Sequence, residues 1–116
     1  MNAVERLTAA IEKLEALKAE AFAGPWEALG SGVEHGDHWY VLSGRESILY
    51  ISANDGSDEE FRQPTAELIV TLHRTIDAQL AILRWSLNEI EYENGEVVYY
   101  DEHTVALADA ILGGDS

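Results

Sequence analysis

The sequence predicts an α+β fold: a long N-terminal helix, a three-stranded antiparallel sheet, a long central helix and a short C-terminal helix. Apolar residues recur at three- and four-residue spacing in residues 2–22 and 64–87, which is the period of an amphipathic helix. Between them, residues 25–53 are rich in aromatic and β-branched side chains, which favour strands. The length of 116 residues fits a single domain spanning residues 1–116.

The first helix is predicted over residues 2–22. Its apolar stripe contains Val4, Leu7, Ile11 and Leu14. Gly24 and Pro25 end it, because glycine suits a left-handed cap and proline cannot continue the hydrogen-bond ladder. Trp26 then supplies a large apolar anchor between helix and sheet. We therefore interpret Gly24, Pro25 and Trp26 as a structural motif.

The predicted sheet contains a hairpin formed by residues 38–42 and 47–52, with residues 43–46 as its turn. Residues 26–29 add a third strand. Alternation along the first hairpin strand sends Trp39 to one face of the sheet and Tyr40 to the other. Both faces are therefore aromatic or apolar, so either helices cover both or one face is a binding surface.

The central helix is expected to begin near Pro64 and to run through Leu87. Ser57 and Glu60 have the spacing of a capping box, and Pro64 follows them too closely for a helix interior, so a short turn precedes the main helix. Residues 89–100 allow two interpretations. Asn94-Gly95 is either the turn of a hairpin or the cap of a helix running through Ile90, and the helical spacing favours the second.

The last helix is expected to begin at a cap near Asp101 and to stop at Gly113-Gly114. This completes the predicted order of one helix, a sheet and two further helices.

The charge excludes several classes of function. Acidic residues number 22 and basic residues 7, and residues 85–116 hold 8 acids and no base. Binding to a phosphate backbone or an anionic membrane needs Lys and Arg, so neither is expected. The sequence has no cysteine, no apolar run of membrane-spanning length and an N-terminus unlike a secretory signal. A cytoplasmic protein is the simplest interpretation.

No group of residues has the pattern of a catalytic or metal site. His35, Asp37 and His38 resemble metal ligands but lack a second ligand pair, so a solvated loop is the better interpretation. Asp101 is better explained as a helix cap than as an acid/base partner of His103. Residues 54–58 lack the first acid of a calcium loop. We expect no enzyme activity, no cofactor and no metal.

The segment Ala21-Phe22-Ala23-Gly24-Pro25-Trp26 resembles the Ala-Thr-Pro-Gly-Pro-Trp signature of small phage and prophage proteins, including lambdoid early-region and actinobacteriophage proteins. Phe22 and Ala23 stand where those proteins carry Thr and Pro. Residues 64–69 also resemble the start of the closing helix in that group. The resemblance implies a phage early or accessory protein, helices that self-associate and no catalytic residue.

Together these observations predict a non-catalytic protein that acts by binding another protein and that forms a homodimer through its helices. The candidate interaction surface comprises Trp39, Tyr40, Tyr50, Trp85 and Tyr92. The N-terminal stripe packs on the long helix and the sheet, or part of it joins Trp85 and Tyr92 in a dimer seam, and the two interpretations can coexist. Two alternatives remain: an acidic decoy that mimics DNA, and a sponge for a small ligand such as a nucleotide signal.

Overall fold

The structure is a computed structural model that describes residues 1–32, 34, 38–51 and 59–113. Along the chain the elements are α1 (Ala3–Glu20), β1 (Trp26–Gly30), β2 (Trp39–Ser43), β3 (Glu46–Ile51), α2 (Glu59–Arg74), α3 (Ile76–Asn88), β4 (Glu91–Glu93), β5 (Glu96–Tyr99) and α4 (Glu102–Leu112). The predicted α+β fold, with a helix, a three-stranded antiparallel sheet and further helices in that order, is confirmed.

The chain divides into two compact units. The helical unit comprises Met1–Glu20 and Ile76–Ser116, and the sheet unit comprises Ala21–Thr75. Each has its own group of buried apolar side chains. The interpretation of residues 1–116 as one domain remains a prediction beside this division.

In the sheet unit, the strands lie in the order β1-β2-β3, and both pairs are antiparallel. Helix α2 packs against one face, where Val41, Ala66 and Val70 are buried. Other apolar side chains pack around these three: Trp26, Ala28, Trp39, Ile48, Ile51 and Ile69. The predicted alternation is confirmed on this side, because Trp39 and Val41 belong to the face that α2 covers.

The central helical region contains two helices, whereas periodicity predicts one helix from Pro64 to Leu87. Helix α2 begins at Glu59, so Pro64 lies inside it, and it ends at Arg74. The backbone N–H and the hydroxyl of Thr75 both donate to the carbonyl oxygen of Leu72, at 3.1 and 2.8 Å. This tight three-residue bond replaces the four-residue helical pattern, so the helix is divided at Thr75. Ser57 and its predicted cap lie outside the described residues.

Residues 91–99 form a hairpin, so the preferred interpretation of a helix through Ile90 is wrong. Helix α3 ends at Asn88, and β4 pairs with β5. Asn94 and Gly95 have φ angles of 53° and 83°. A two-residue hairpin turn with positive φ at both positions has the twist that its strands require, and Asn-Gly adopts it with little strain. Local turn chemistry therefore outweighed the apolar period.

The core of the helical unit is formed where α1 packs against α3 and α4. Its buried side chains are Leu7, Ala10, Leu83, Ile90, Val105 and Ala108. The rest of the N-terminal stripe, Val4, Ile11 and Leu14, packs against this cluster. The stripe therefore packs on the C-terminal half of the predicted long helix and on α4, whereas no described residue of the three-stranded sheet, the other contact that its first interpretation predicts, belongs to this cluster.

Helix α4 has both of its predicted ends. The Asp101 carboxylate accepts a hydrogen bond from the Thr104 backbone N–H, and Gly113 adopts a left-handed conformation with φ of 111°. Inside the unit, the hydroxyls of Ser86 and Thr104 are buried and hydrogen-bonded to each other. Within the described part of the chain, no helix is long and apolar enough to cross a membrane.

Candidate interaction surfaces

Two of the predicted surface residues lie side by side on the sheet. Tyr40 of β2 is paired with Tyr50 of β3, and their ring centroids are 5.2 Å apart at an interplanar angle of 42°. This spacing is typical of an interacting aromatic pair. Both tyrosines lie on the face of the sheet opposite the α2 contacts.

Two neighbours extend this aromatic pair. The His38 ring lies 5.2 Å from the Tyr50 ring, and Leu29 of β1 is paired with Tyr40. Leu29 and Tyr50 are each 53% exposed. We call Leu29, His38, Tyr40 and Tyr50 the outer-face patch. It is a continuous aromatic and apolar surface that crosses all three strands of the sheet.

Of the remaining predicted surface residues, Trp39 lies on the opposite face of the sheet, and Trp85 and Tyr92 belong to the other unit. Trp39 packs in the α2-facing cluster, where its indole lies over Gly30 so closely that a Cβ there would be 2.8 Å from Trp39 Cζ2. Trp85 on α3 and Tyr92 on β4 belong to the helical unit and are 50% and 58% exposed. No aromatic contact among the described residues links Trp85 to Tyr92.

Gly24 is not the left-handed cap of the first helix that the sequence predicts, because α1 ends at Glu20 and Gly24 has no positive φ. The predicted structural motif instead holds α2 against β1. The Trp26 indole stacks on the His73 imidazole with centroids 3.6 Å apart and planes within 4°. Its Nε1–H donates to the Phe22 carbonyl at 3.1 Å. Gly24 leaves room for the same histidine, because a Cβ at this position would be 2.8 Å from His73 Cε1. His73, at the end of α2, is the partner that sequence reasoning did not assign to the motif.

A groove of about 470 Å³ lies between β1 and α2. This volume is within the ~300–1,000 Å³ range of ligand-binding clefts. It is lined by Trp26, Glu27, Ala28, Glu67, Val70, Thr71 and Arg74. Glu27 and Arg74 form no ion pair with another described residue, and Glu67 accepts only an amide hydrogen bond from Gln63 at 3.1 Å. The groove therefore presents charges that no other residue in the described part of the chain pairs with.

A second groove, in the helical unit, differs in this respect. It has a volume of about 500 Å³ and lies between α1 and α3. Its charged lining residues are paired within the chain, Lys18 with Asp77 and Arg84 with Glu15. These pairs satisfy the charges of the lining, so this groove has no unpaired charge to offer a ligand.

Helix α2 has an apolar outer stripe that the sequence did not separate from its core face. Phe61, Leu68 and Leu72 are each more than half exposed, and their spacing places them on one side of the helix. The opposite side carries Ala66 and Val70, which contact the sheet. The sequence could have shown this, because Leu68 and Ile69 are adjacent and cannot both face one neighbour.

The residues considered for catalysis or metal binding do not assemble in the described part of the chain. Asp101 acts as the cap of α4, and hydrogen bonding, first from the Thr104 backbone N–H, holds the pKa of its carboxyl below its usual range. Glu102 and His103 are exposed on the first turn of that helix. His35, Asp37 and residues 54–58 lie outside the described residues. Among the residues described, no three His, Asp or Glu side chains are grouped as metal ligands.

Comparison with known proteins gives no relative: no family model, no curated protein and no solved structure matches this chain.

Proposed function

We propose that this chain is a non-catalytic regulatory protein that binds a protein partner through the outer-face patch. The observation that supports this proposal is the continuous surface of Leu29, His38, Tyr40 and Tyr50 across three strands, with Leu29 and Tyr50 each 53% exposed. Tyrosine is enriched at protein interfaces because it offers a large contact area and a polar tip. The phage or prophage accessory class, which the segment around Gly24-Pro25-Trp26 resembles, and a cytoplasmic location in a bacterial host are parts of the same proposal.

The partner that fits this surface is a protein with a basic face. The chain carries a formal charge of −15. Such a field attracts a basic protein and accelerates its association, while short-range aromatic contacts supply most of the affinity. Binding is therefore expected to weaken as salt rises, because the Debye length is about 10 Å at 0.1 M ionic strength.

The test is site-specific photo-crosslinking in an extract of the bacterium that produces the protein. A benzoylphenylalanine at Tyr50 is expected to capture one protein that an excess of unlabelled chain displaces. The matched control carries the same group at Tyr99, which is 47% exposed on β5. Equal capture from both positions, or capture that the unlabelled chain does not displace, would contradict the proposal.

Self-association is also part of the proposal, with α2 as its surface. The predicted dimer seam used part of the N-terminal stripe with Trp85 and Tyr92, but the stripe packs in the core of the helical unit. Phe61, Leu68 and Leu72 instead offer an exposed helical stripe. Residues 61–75 hold two bases and one acid, so this segment repels a second copy less than the acidic remainder does.

An acidic decoy is a second candidate function, and a specific observation favours it. Glutamates cluster on and beside the β4–β5 hairpin, and all are exposed: Glu89, Glu91, Glu93, Glu96 and Glu102. None of them forms an ion pair with another described residue. A decoy would bind a DNA-binding protein through these carboxylates, and an affinity that is unchanged between low and high salt would exclude it.

A sponge for a nucleotide signal is the remaining alternative, since exposed aromatic rings such as that of Tyr50 can stack on a base. It predicts stabilisation by RT ln(1 + [L]/Kd) when nucleotides are added. A melting temperature that stays constant across a nucleotide panel would exclude it.

A further inference from the structure

We propose that the free edge of β1, together with the β1–α2 groove, binds an extended peptide segment of a partner, which adds a fourth strand to the sheet. The inference rests on the proposed protein-binding function but concerns a different surface from the outer-face patch. Addition of a strand to a sheet edge is a common mode of peptide recognition, in which main-chain hydrogen bonds give affinity and side-chain pockets give specificity.

The hydrogen-bond pattern of β1 identifies which of its backbone groups face outward. Among the described strands, β1 lies at the edge of the sheet and pairs with β2 alone. The Ser31 N–H donates to the His38 carbonyl at 2.9 Å, and these two residues continue the register of β1 and β2. Bonded and non-bonded pairs alternate in an antiparallel ladder. Leu29 therefore directs its N–H and C=O towards β2, whereas Ala28 and Gly30 direct theirs to the free edge.

The two edges of the sheet are not equivalent. Strand β1 pairs with β2 in unbroken register over five residues. Strand β3, at the other edge, has a register shift between its partners Val41 and Leu42. Bulges interrupt a regular edge and are one way in which proteins protect edges from pairing. The regular edge is the one that borders the groove, so an added strand would lie against α2.

The charges of the groove specify the peptide. Trp26 stacks on His73, so the neighbouring Arg74 lies at the Trp26 end of the groove. Glu67 is seven residues earlier on α2, about 10 Å away at 1.5 Å per residue. A fitting peptide has a basic side chain near Glu67 and a carboxylate near Arg74. The two charged side chains of the peptide lie two or four positions apart in its sequence, because alternate side chains of a strand share a face.

A foreign peptide fits this edge better than a second copy of the chain does. Pairing β1 with β1 of another copy would bring together two chains that each carry a formal charge of −15. It would also bring Glu27 of each copy to one sheet edge that already borders Glu67. A peptide with a basic side chain reduces this repulsion.

The test is selection of binders from a display library of random heptapeptides against the full chain. Enriched peptides are expected to pair a basic with an acidic residue two or four positions apart. Bound to the isotope-labelled protein, they should shift the amide resonances of Ala28 and Gly30 and leave that of Tyr50 unchanged. An absence of enrichment, or shifts centred on Tyr50, would overturn the inference.

Two variants and one matched control complete the test. Thr71→Trp fills the groove from the exposed side of α2 and is expected to weaken binding at least tenfold. The control, Ile82→Trp, places the same side chain on the exposed side of α3 and should leave affinity within twofold of wild type. Ala28→Pro removes an outward N–H, which an edge strand tolerates, and should also abolish binding. Peptides that bind Thr71→Trp as tightly as wild type would overturn the inference, whereas the outer-face patch would still be expected to bind its protein partner.

Discussion

Because Gly24 lies against His73, we expect Gly24→Ala to lower the stability of the wild-type protein but not that of the His73→Ala variant. A Cβ at position 24 would lie 2.8 Å from His73 Cε1, whereas ordinary contacts are 3.4–4 Å, so Gly24→Ala forces the ring to move by at least about 0.6 Å. The ring cannot move freely, because it stacks on Trp26 at 3.6 Å. Overpacking of this kind costs about 1–3 kcal/mol. Gly24→Ala should therefore destabilise the wild-type protein by that cost less the ~0.4–1 kcal/mol that alanine gains by lowering the entropy of the unfolded chain.

In the His73→Ala background the same substitution should be neutral or stabilising. The clash is gone, and replacing glycine by alanine lowers the entropy of the unfolded chain, which contributes about 0.4–1 kcal/mol. His73→Ala alone removes the aromatic stack, at a cost of about 0.5–1.5 kcal/mol beyond the lost burial. The double-mutant cycle should therefore give a coupling energy of roughly 1–3 kcal/mol.

The assay is urea unfolding followed by tryptophan fluorescence in a Trp85→Phe background. The remaining tryptophans, Trp26 and Trp39, both belong to the sheet unit, so the signal reports that unit. An equal effect of Gly24→Ala in both backgrounds would refute the proposed contact. Such a result would also mean that the contact between Trp26 and His73 does not position α2 beside the β1–α2 groove.

Three further predictions concern the helices. The pKa of the Asp101 carboxyl is lowered in the folded protein, so the ionised cap stabilises α4 above the unfolded pKa, and this stability is lost as pH falls through the folded pKa. Asp101→Asn keeps a capping oxygen but does not titrate, so it should reduce the fall in melting temperature on acidification. A fall equal to that of the wild type would contradict the assignment of Asp101 as the cap. Leu83 is fully buried, so Leu83→Ala should cost about 2.7–5 kcal/mol in urea unfolding, and a cost below about 1 kcal/mol would contradict its position in the core. Leu68→Glu, which places a charge on the outer stripe of α2, should convert a dimer to a monomer in light scattering, whereas Ile82→Glu, on the exposed side of α3, should not. A mass that neither change alters would exclude α2 as the dimer surface.

The sequence predicts the elements of this fold well where one strong signal acts alone. The aromatic and β-branched runs predicted all three strands of the sheet, and Gly113 and Asp101 marked the ends of α4. Alternation also separated Trp39 from Tyr40. These features depend on local backbone preference and strand geometry, which a single sequence contains.

It predicts poorly where two local signals compete. The apolar period favoured a helix through Ile90, but positive φ at Asn94 and Gly95 produced a hairpin, and Ile90 still reached the core of the helical unit. The same period ran across Thr75 and concealed the end of α2. Both errors arise because an apolar side chain can reach the core whether its residue lies in a helix or in a strand. The spacing of apolar residues alone therefore does not specify the backbone conformation.

The candidate sites needed tertiary information. Alternation separated Tyr40 from Trp39, but it did not show which face α2 covers or that Tyr50 lies beside Tyr40. The stacking partner of Trp26 lies 47 residues away in sequence, at His73, and the groove combines β1 with α2. No local pattern predicts contacts between residues so far apart, although the spacing of Phe61, Leu68 and Leu72 does indicate a second apolar side of α2.

The most direct test of the proposed function is the affinity of the crosslinked partner, once purified, for two matched tyrosine variants measured by calorimetry. Tyr50→Ala should weaken binding at least tenfold, about 1.4 kcal/mol, because truncating a central interface tyrosine removes a large desolvated contact. Tyr99→Ala, which removes a similarly exposed tyrosine from the helical unit, should change affinity less than twofold. Equal affinities of Tyr50→Ala and wild type would contradict the assignment of the outer-face patch as the binding surface.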